Sequence, residues 1–235
     1  MHVEIWADIV CPWCYIGTAR FEKALANFTH PNQVEVLYRS FELDPGRDSK
    51  RVEPVEEMLL RTFGPRGQDM DRQVAELART EGLDYRTDRQ VGSTLDIHRL
   101  IHLAGEYGLH HQLVTAAFHA NFAQARSLFT ADSLTEIAVE AGLEAHDVRQ
   151  VLDDPSLYHA AVRADEQQAI ELGATGVPFF VIDGQHAVSG GQSTDAFSRL
   201  LEQAWAARPL TLNSTAVCSP TGPCEVPRTE GPSQP

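Results

Sequence analysis

Cys11-Pro12-Trp13-Cys14 stands between an apolar run, residues 3–10, and an amphipathic segment, residues 15–28. Within that segment Ile16, Phe21, Leu25 and Phe28 recur near the helical period. The two cysteines therefore sit where a strand turns into a helix. A helix start carries unpaired N–H groups and the positive end of the helix dipole. A thiol held there loses its proton more easily, and the thiolate is the reactive form. Cys-x-x-Cys in this setting is a signature of thiol–disulfide exchange. Cys11, at the mouth of the helix, is the candidate nucleophile, and Cys14, one turn inside, the candidate resolving thiol. Pro12 falls at the first helical position, where its missing N–H costs nothing and its φ suits the helix. The competing use of this spacing is half of a zinc site. Its other ligands would be Cys218 and Cys224, whose five-residue spacing is wider than a usual zinc knuckle. Pro12 and Trp13 also suit a helix start better than a metal loop.

Outward from the motif, residues 3–7 read as a buried strand and residues 34–39 as a second, giving β-α-β and a parallel pair. Residues 41–50, with Pro45 and Gly46, read as a loop. Helices are expected over 56–63, 69–81, 94–107, 113–125, 133–140, 146–152 and 158–172, broken by Gly64-Pro65, Gly82, Gly108, Gly142 and Asp154-Pro155. Asp132 is the expected N-cap of the helix that begins at Ser133. This block lacks β-branched alternation and reads as an all-helical insertion. Residues 177–182 form a strongly apolar strand, Asp183-Gly184 a two-residue hairpin turn, and residues 186–189 the partner strand. A last helix follows over 193–207, with Asp195 in its first turn. The fold class is thus α/β, β-α-β followed by β-β-α around a large helical insertion. Residues 1–52 and 174–207 are the two parts of the α/β domain and 53–173 the insertion. Beyond them, 208–235 reads as a flexible Pro-rich tail with the second cysteine pair.

At 235 residues the chain makes one large domain, or one domain with an insertion. A net charge of −14, with no basic tract, argues against nucleic acid or an anionic membrane surface as partner. No run of about 20 apolar residues is present, so no membrane span is expected. No secretory signal precedes the first strand, and the expected location is cytoplasmic. Cysteine pairs there are more often catalytic or metal-binding than structural. The chain has no Gly-rich phosphate loop and no His-Glu-x-x-His helix, and no cofactor is expected. His110-His111 lies at a helix break and reads as solvated.

The element order, with Asp8-Ile9-Val10-Cys11-Pro12-Trp13-Cys14-Tyr15-Ile16-Gly17, Ile97-His98-Arg99-Leu100, Gly173-Ala174-Thr175-Gly176-Val177-Pro178-Phe179-Phe180-Val181 and Val188-Ser189-Gly190-Gly191-Gln192, resembles the DsbA-like thioredoxin-fold disulfide oxidoreductases. Within that family it is most similar to the FrnE-type subfamily, over about residues 2–207. The resemblance implies a cis Val177–Pro178 bond opposite the cysteine pair, with backbone groups that align an extended substrate chain. From the residues alone, Pro178 reads as the start of an edge strand; the resemblance reverses that. It also implies a two-step exchange through a mixed disulfide at Cys11. Trp13 either shapes the rim and tunes the pair or packs partly into the core. Catalytic members often carry a buried acid near the pair; Asp8, three residues before Cys11, either approaches it or caps a strand end. His98 and Arg99 match a family pattern and read as ordinary helix packing or a surface pair.

Some FrnE-type relatives carry a tail cysteine pair, and Cys218 and Cys224 resemble it as an auxiliary redox couple; the alternative is a local clip. The stretch from Ala207 to Cys218 spans up to ~33 Å when extended, enough to cross the domain. Expected partners are disulfide- or thiol-bearing proteins, with glutathione or the thioredoxin system for electrons. Two other functions compete. One is a glutathione-dependent isomerase or transferase of the 2-hydroxychromene-2-carboxylate isomerase or kappa type, whose members typically place Ser where Cys11 stands. The other is a zinc module of Cys11, Cys14, Cys218 and Cys224. Direction depends on potential, since known pairs span about −270 to −120 mV. In a reducing compartment, reduction or isomerisation is favoured over net disulfide formation.

Overall fold

The computed structural model describes residues 1–208. Strand β1 (His2–Ala7) leads into helix α1 (Pro12–Ala26) and back to β2 (Glu35–Ser40), which pairs with β1 in parallel, Val3 opposite Val36. After the helical block, β5 (Phe179–Ile182) and β6 (His186–Ser189) complete a four-stranded sheet of order β2-β1-β5-β6, with β5 antiparallel to both neighbours. Helix α9 (Thr194–Ala206) closes the unit. Pro178 therefore precedes a central strand rather than an edge strand.

The period of two along each strand sorts side chains onto two faces. Val3, Ile5, Phe180 and Ile182 are buried with Phe21 of α1 and Phe197 of α9. Phe180 and Phe197 meet edge-on at 4.6 Å between ring centroids, and Phe21 adds an edge contact to Phe197 at 5.6 Å. Trp6, Phe179 and Val181 take the opposite face with Ala169 of α8 (His159–Glu171). Trp6 donates its indole N–H to the Asp165 carbonyl at 2.8 Å. The buried Asp165 carboxylate accepts from Ser40 N–H at 2.9 Å and Arg39 at 3.3 Å, which pins α8 across the β1–β2 edge. His102 stands 3.2 Å from Ser40 Oγ and 3.2 Å from Asp165 Oδ2 through the same Nε2. That shared nitrogen makes a structural tie and not a serine-activating relay, which needs both ring nitrogens.

The intervening block holds α2 (Val55–Phe63), α3 (Arg66–Thr80), α4 (Leu95–Glu106), α5 (His110–Phe118), α6 (Ala131–Glu140), α7 (Ala145–Asp153) and α8. It is not all-helical. β3 (Glu53–Pro54) and β4 (Gln90–Val91) pair antiparallel, Glu53 opposite Val91. Two-residue strands are too short to leave an alternation in the sequence, and their pairing is long-range. The helix expected over 113–125 ends at Phe118 and passes into a π-helical turn, His119–Ala123, before Ala125 turns at φ 54°. Thr130, and not Asp132, caps α6: its extended backbone lets its side chain accept from Ser133 N–H at 3.4 Å, and Asp132 falls in the first turn. The hairpin turn stands at Asp183-Gly184, both at positive φ, with Gln185 N–H donating to Ile182 O at 3.0 Å. The ladder nevertheless pairs Ile182 with His186, so Gln185 is an extra residue in the connection.

Contacts distant in sequence decide these positions: His98 and Arg99 take the helix-packing alternative, and of His110-His111 it is His110 that leaves solvent. His110 Nε2 lies 3.0 Å from the Val36 carbonyl and packs on β2, whereas His111 stays exposed to solvent while stacking on Tyr38 at 5.8 Å. His98 and Arg99 are each 1% exposed and form no surface pair. Arg99 donates to Leu157 O at 2.8 Å, to Asp96 Oδ1 at 2.6 Å, and to the carbonyls of Val151 and Asp154. It ties α4 to the end of α7 and the loop beyond it.

Candidate active site

The turn between β1 and α1 is built by its own backbone. Cys11 N–H donates to Asp8 O at 3.1 Å, and Cys11 is extended at φ −80°, ψ 115° as the N-cap of α1. Its carbonyl accepts from Cys14 N–H at 3.1 Å and Tyr15 N–H at 3.2 Å. The Cys11 side chain therefore caps nothing and is free to face the rim. Both cysteines are buried, Cys11 at 4% exposure and Cys14 at 0%. Burial pushes the Cys14 thiol well above the ordinary cysteine value. A hydrogen bond and the charge of Cys11 add to that, and a hydrogen bond to the Asp8 main chain opposes it. Two chemically unlike thiols thus sit side by side, one at the rim and one held protonated.

The 174–178 segment leads into β5 beside β1 and meets the pair at that end of the sheet. Cys11 Sγ lies 3.7 Å from the Val177 carbonyl oxygen, and the Val177–Pro178 bond is cis. Cys11 and Val177 line one cavity with Pro12 and Trp13, while Cys14 and Pro178 stand behind them. Trp13 is 43% exposed, so it belongs to the rim and not to the core. Backbones approach closely here. A Cβ on Gly17 would stand 2.9 Å from Pro178 Cγ and 3.1 Å from Gly191 Cα. A Cβ on Gly191 would stand 3.2 Å from the Trp13 carbonyl oxygen. Both glycines are needed for room. Gly17→Ala is expected to push the Pro178 loop off α1, lowering stability by about 1–3 kcal/mol and slowing disulfide exchange. Urea unfolding of the variant with an unmoved midpoint would contradict this packing.

Asp8 does both things its position allows. It is 1% exposed and accepts from Leu43 N–H at 2.7 Å and Val10 N–H at 3.3 Å, fixing the strand end. Its charge is also among those felt by Cys14. Asn121, absent from the sequence reading, is buried in the π-helical turn and donates from Nδ2 to Ile9 O at 3.2 Å. It braces the turn before Cys11. The run His119–Ala123 carries no signal of this, because a single π-helical turn is too short to set a period of its own.

A cavity of about 640 Å³ opens from the cysteines. Its far wall is apolar, built from Met58, Leu59, Phe63, Met70 and Val74 of α2 and α3. Charges around it are paired. Glu53 accepts from Arg47 at 2.5 Å and from Arg61 at 2.5 and 2.7 Å; Arg61 foremost, with Arg47, holds its carboxyl down at about 2. Deeper, Arg89 and the Tyr85 hydroxyl both donate to Asp71, at 2.8 and 2.6 Å. With its arginines paired to carboxylates and its far wall apolar, the cavity suits an apolar group beside a sulfur.

Among the described residues, no group of three or more His, Cys, Asp or Glu side chains is placed to hold a metal ion. No described helix is long and apolar enough to cross a membrane. Cys218 and Cys224 lie outside the described residues, so the zinc module and the auxiliary couple rest on sequence alone.

The chain matches the DSBA-like thioredoxin domain family over residues 2–202. It belongs to that family. The crystal structure of a probable DsbA oxidoreductase from Streptomyces coelicolor is 52% identical, with a TM-score of 0.86, and the match covers 97% of this chain and 100% of that one. The uncharacterised protein YwbO of Bacillus subtilis is 27% identical over 86% of this chain and 96% of its own. The cytosolic disulfide reductase DsbM of Pseudomonas aeruginosa, solved with GSH, shares the fold at 20% identity and a TM-score of 0.64, covering 88% of this chain and 100% of its own. This DsbA-like chain is thus a thioredoxin-fold protein with a helical insertion, as its sequence implies.

Proposed function

We propose that this DsbA-like thiol–disulfide oxidoreductase works through Cys11 as nucleophile and Cys14 as resolving thiol. The observation that carries the assignment is the asymmetry of the pair: Cys11 at the cavity rim on a helix N-terminus, Cys14 buried and held protonated. A substrate sulfur reaches Cys11 and not Cys14, so the mixed disulfide forms at Cys11. Cys14 then gives its proton to a base, for which Asp8 is the buried candidate, and attacks the Cys11 sulfur. Val177 and Pro178, beside Cys11, align the substrate backbone, and Pro12 and Trp13 shape its approach.

The substrates are disulfide- or thiol-bearing proteins. The apolar wall of the cavity supports this, with Phe63 and Met70 half exposed and ready to cover a large side chain next to the substrate cysteine. Glutathione is the electron partner best supported, by analogy with the GSH-bound DsbM structure; the thioredoxin system is the alternative. Reduction or isomerisation in the cytoplasm is the favoured direction, relevant to repair under oxidative stress. The tail pair Cys218–Cys224 acts as an auxiliary couple, in keeping with an FrnE-type assignment.

The test is a redox titration in glutathione buffers, with alkylation of each cysteine followed by mass spectrometry. Cys11 and Cys14 are expected to titrate together as a two-electron couple, and changing Cys218 and Cys224 to Ser to move the midpoint. If Cys11 and Cys14 never join, the oxidoreductase mechanism is wrong. An unmoved midpoint removes the tail from it.

A further inference from the structure

His98 is a core side chain that the fold leaves without a hydrogen bond. It projects from α4, is 1% exposed, and neither ring nitrogen has a hydrogen bond among the described residues. Buried polar atoms are nearly always paired, and an exception calls for an explanation. One buried carboxylate stands beside it, and a second lies next to Leu43, whose N–H binds the first. Asp8 Oδ1 is 3.6 Å from His98 Nε2. Glu42, 4% exposed, lies just beyond β2, and its Oε2 likewise has no hydrogen bond. Burial pushes the Glu42 carboxyl up, and the charge of His98 is the foremost influence opposing that.

Glu42 connects this interior to the surface of α8. Arg163 Nη2 lies 2.7 Å from Glu42 Oε2, an ion pair without the direction of a hydrogen bond. Glu166 Oε1 accepts Glu42 N–H at 3.0 Å and Glu166 Oε2 pairs with Arg163 at 2.6 Å. The Arg163 side chain is one-third exposed. Asp8, His98, Glu42 and the Arg163–Glu166 pair thus lie between the turn that carries the cysteines and the surface of α8.

We propose that His98, beside Asp8, relays the proton of Cys14 from Asp8 toward Glu42, which gives the resolving thiol a path to water along α8 besides the substrate-filled cavity that Asp8 lines. The idea rests on the reading of Cys11 and Cys14 as a redox pair. During resolution Cys14 gives its proton to the Asp8 carboxylate while its sulfur bonds to the Cys11 sulfur. The bond between Cys11 and the substrate sulfur breaks, and its electron pair leaves on the substrate thiolate, which takes a proton from solvent. Asp8 hands its proton to His98, and His98 hands one on to Glu42 and from there to water. Reduction of the Cys11–Cys14 disulfide runs the same path backwards. His98 touches no reacting sulfur and acts through Asp8, as a positioning and relay residue.

The experiment is stopped-flow reaction of the reduced full-length chain, carrying Cys218→Ser and Cys224→Ser, with dithiobis(nitrobenzoate). One thionitrobenzoate leaves when Cys11 attacks, and a second when Cys14 resolves the adduct. His98→Gln is expected to slow the second release by about 10²-fold, with a changed pH profile, and to leave the first within about twofold of wild type, since the group lost contributes only to proton transfer. A second release unchanged across the pH range, or both releases slowed alike, overturns the relay. Should His98→Gln not fold, the wild-type chain in heavy water decides. The second release is expected to slow more than the first, and equal slowing overturns the proposal. Absence of any second release in wild type would instead remove the redox-pair mechanism itself.

Discussion

Cys14→Ser is expected to stop the chain half-way through a turnover, with substrate covalently held at Cys11. In the native site Cys14 sits one helical turn from Cys11 and needs no diffusion to reach the adduct sulfur. Well-oriented intramolecular partners act at effective concentrations of about 10⁵ M or more, against millimolar thiols in solution, so turnover should fall by at least ~10³-fold. The fold should survive, because a serine fills nearly the same space as the buried Cys14. Intact-mass spectrometry after exposure to a disulfide substrate is the measurement. A persistent adduct on Cys11 is the expected result, and an adduct elsewhere, or none, would remove Cys11 as nucleophile. Cys11→Ser is the complementary variant. It should form no adduct and turn nothing over, whereas retained glutathione-dependent activity would point to the isomerase or transferase chemistry that uses serine at this position.

The second large effect concerns stability. Arg99→Met is expected to cost about 3–5 kcal/mol, the range for removing one partner of a buried charged network. The guanidinium is 1% exposed and serves the carbonyls of Leu157, Val151 and Asp154 as well as Asp96. Methionine fills the volume but supplies none of these donors, so three carbonyls lose a partner. The denaturant midpoint should fall with little change in slope. Asp96→Asn is the contrasting control. Asp96 is half exposed, and an ion pair open to water is worth at most about 1 kcal/mol. Equal losses in the two variants would mean that the Arg99 carbonyl bonds carry no weight.

Much of the site is written locally. Cys11, Pro12 and Cys14 declare a helix start because the apolar run before them and the 3.6-residue period after them need no distant contact to be read. The same holds for the β5–β6 hairpin, whose turn residues Asp183 and Gly184 take the positive φ that their chemistry allows. Pro178 is legible only through its likeness to a family. Nothing in residues 173–178 says that this segment meets Cys11 at the end of the sheet, nor that β5 takes a central place beside β1. That pairing joins positions more than 170 residues apart, Val3 with Ile182.

The sequence by itself determined the α/β order of the domain, the strand-to-helix placement of the cysteine pair and the helical character of the insertion, because each rests on periodicity and turn chemistry within a few residues. Tertiary structure alone decided the rest. It buried Arg99 and His98, set Asp8 beside the imidazole, placed Asn121 under the Ile9 carbonyl and assembled the apolar wall from α2 and α3. Those outcomes depend on which faces meet in space. Burial changes the energy of a charge or a thiol far more than any sequence neighbour does.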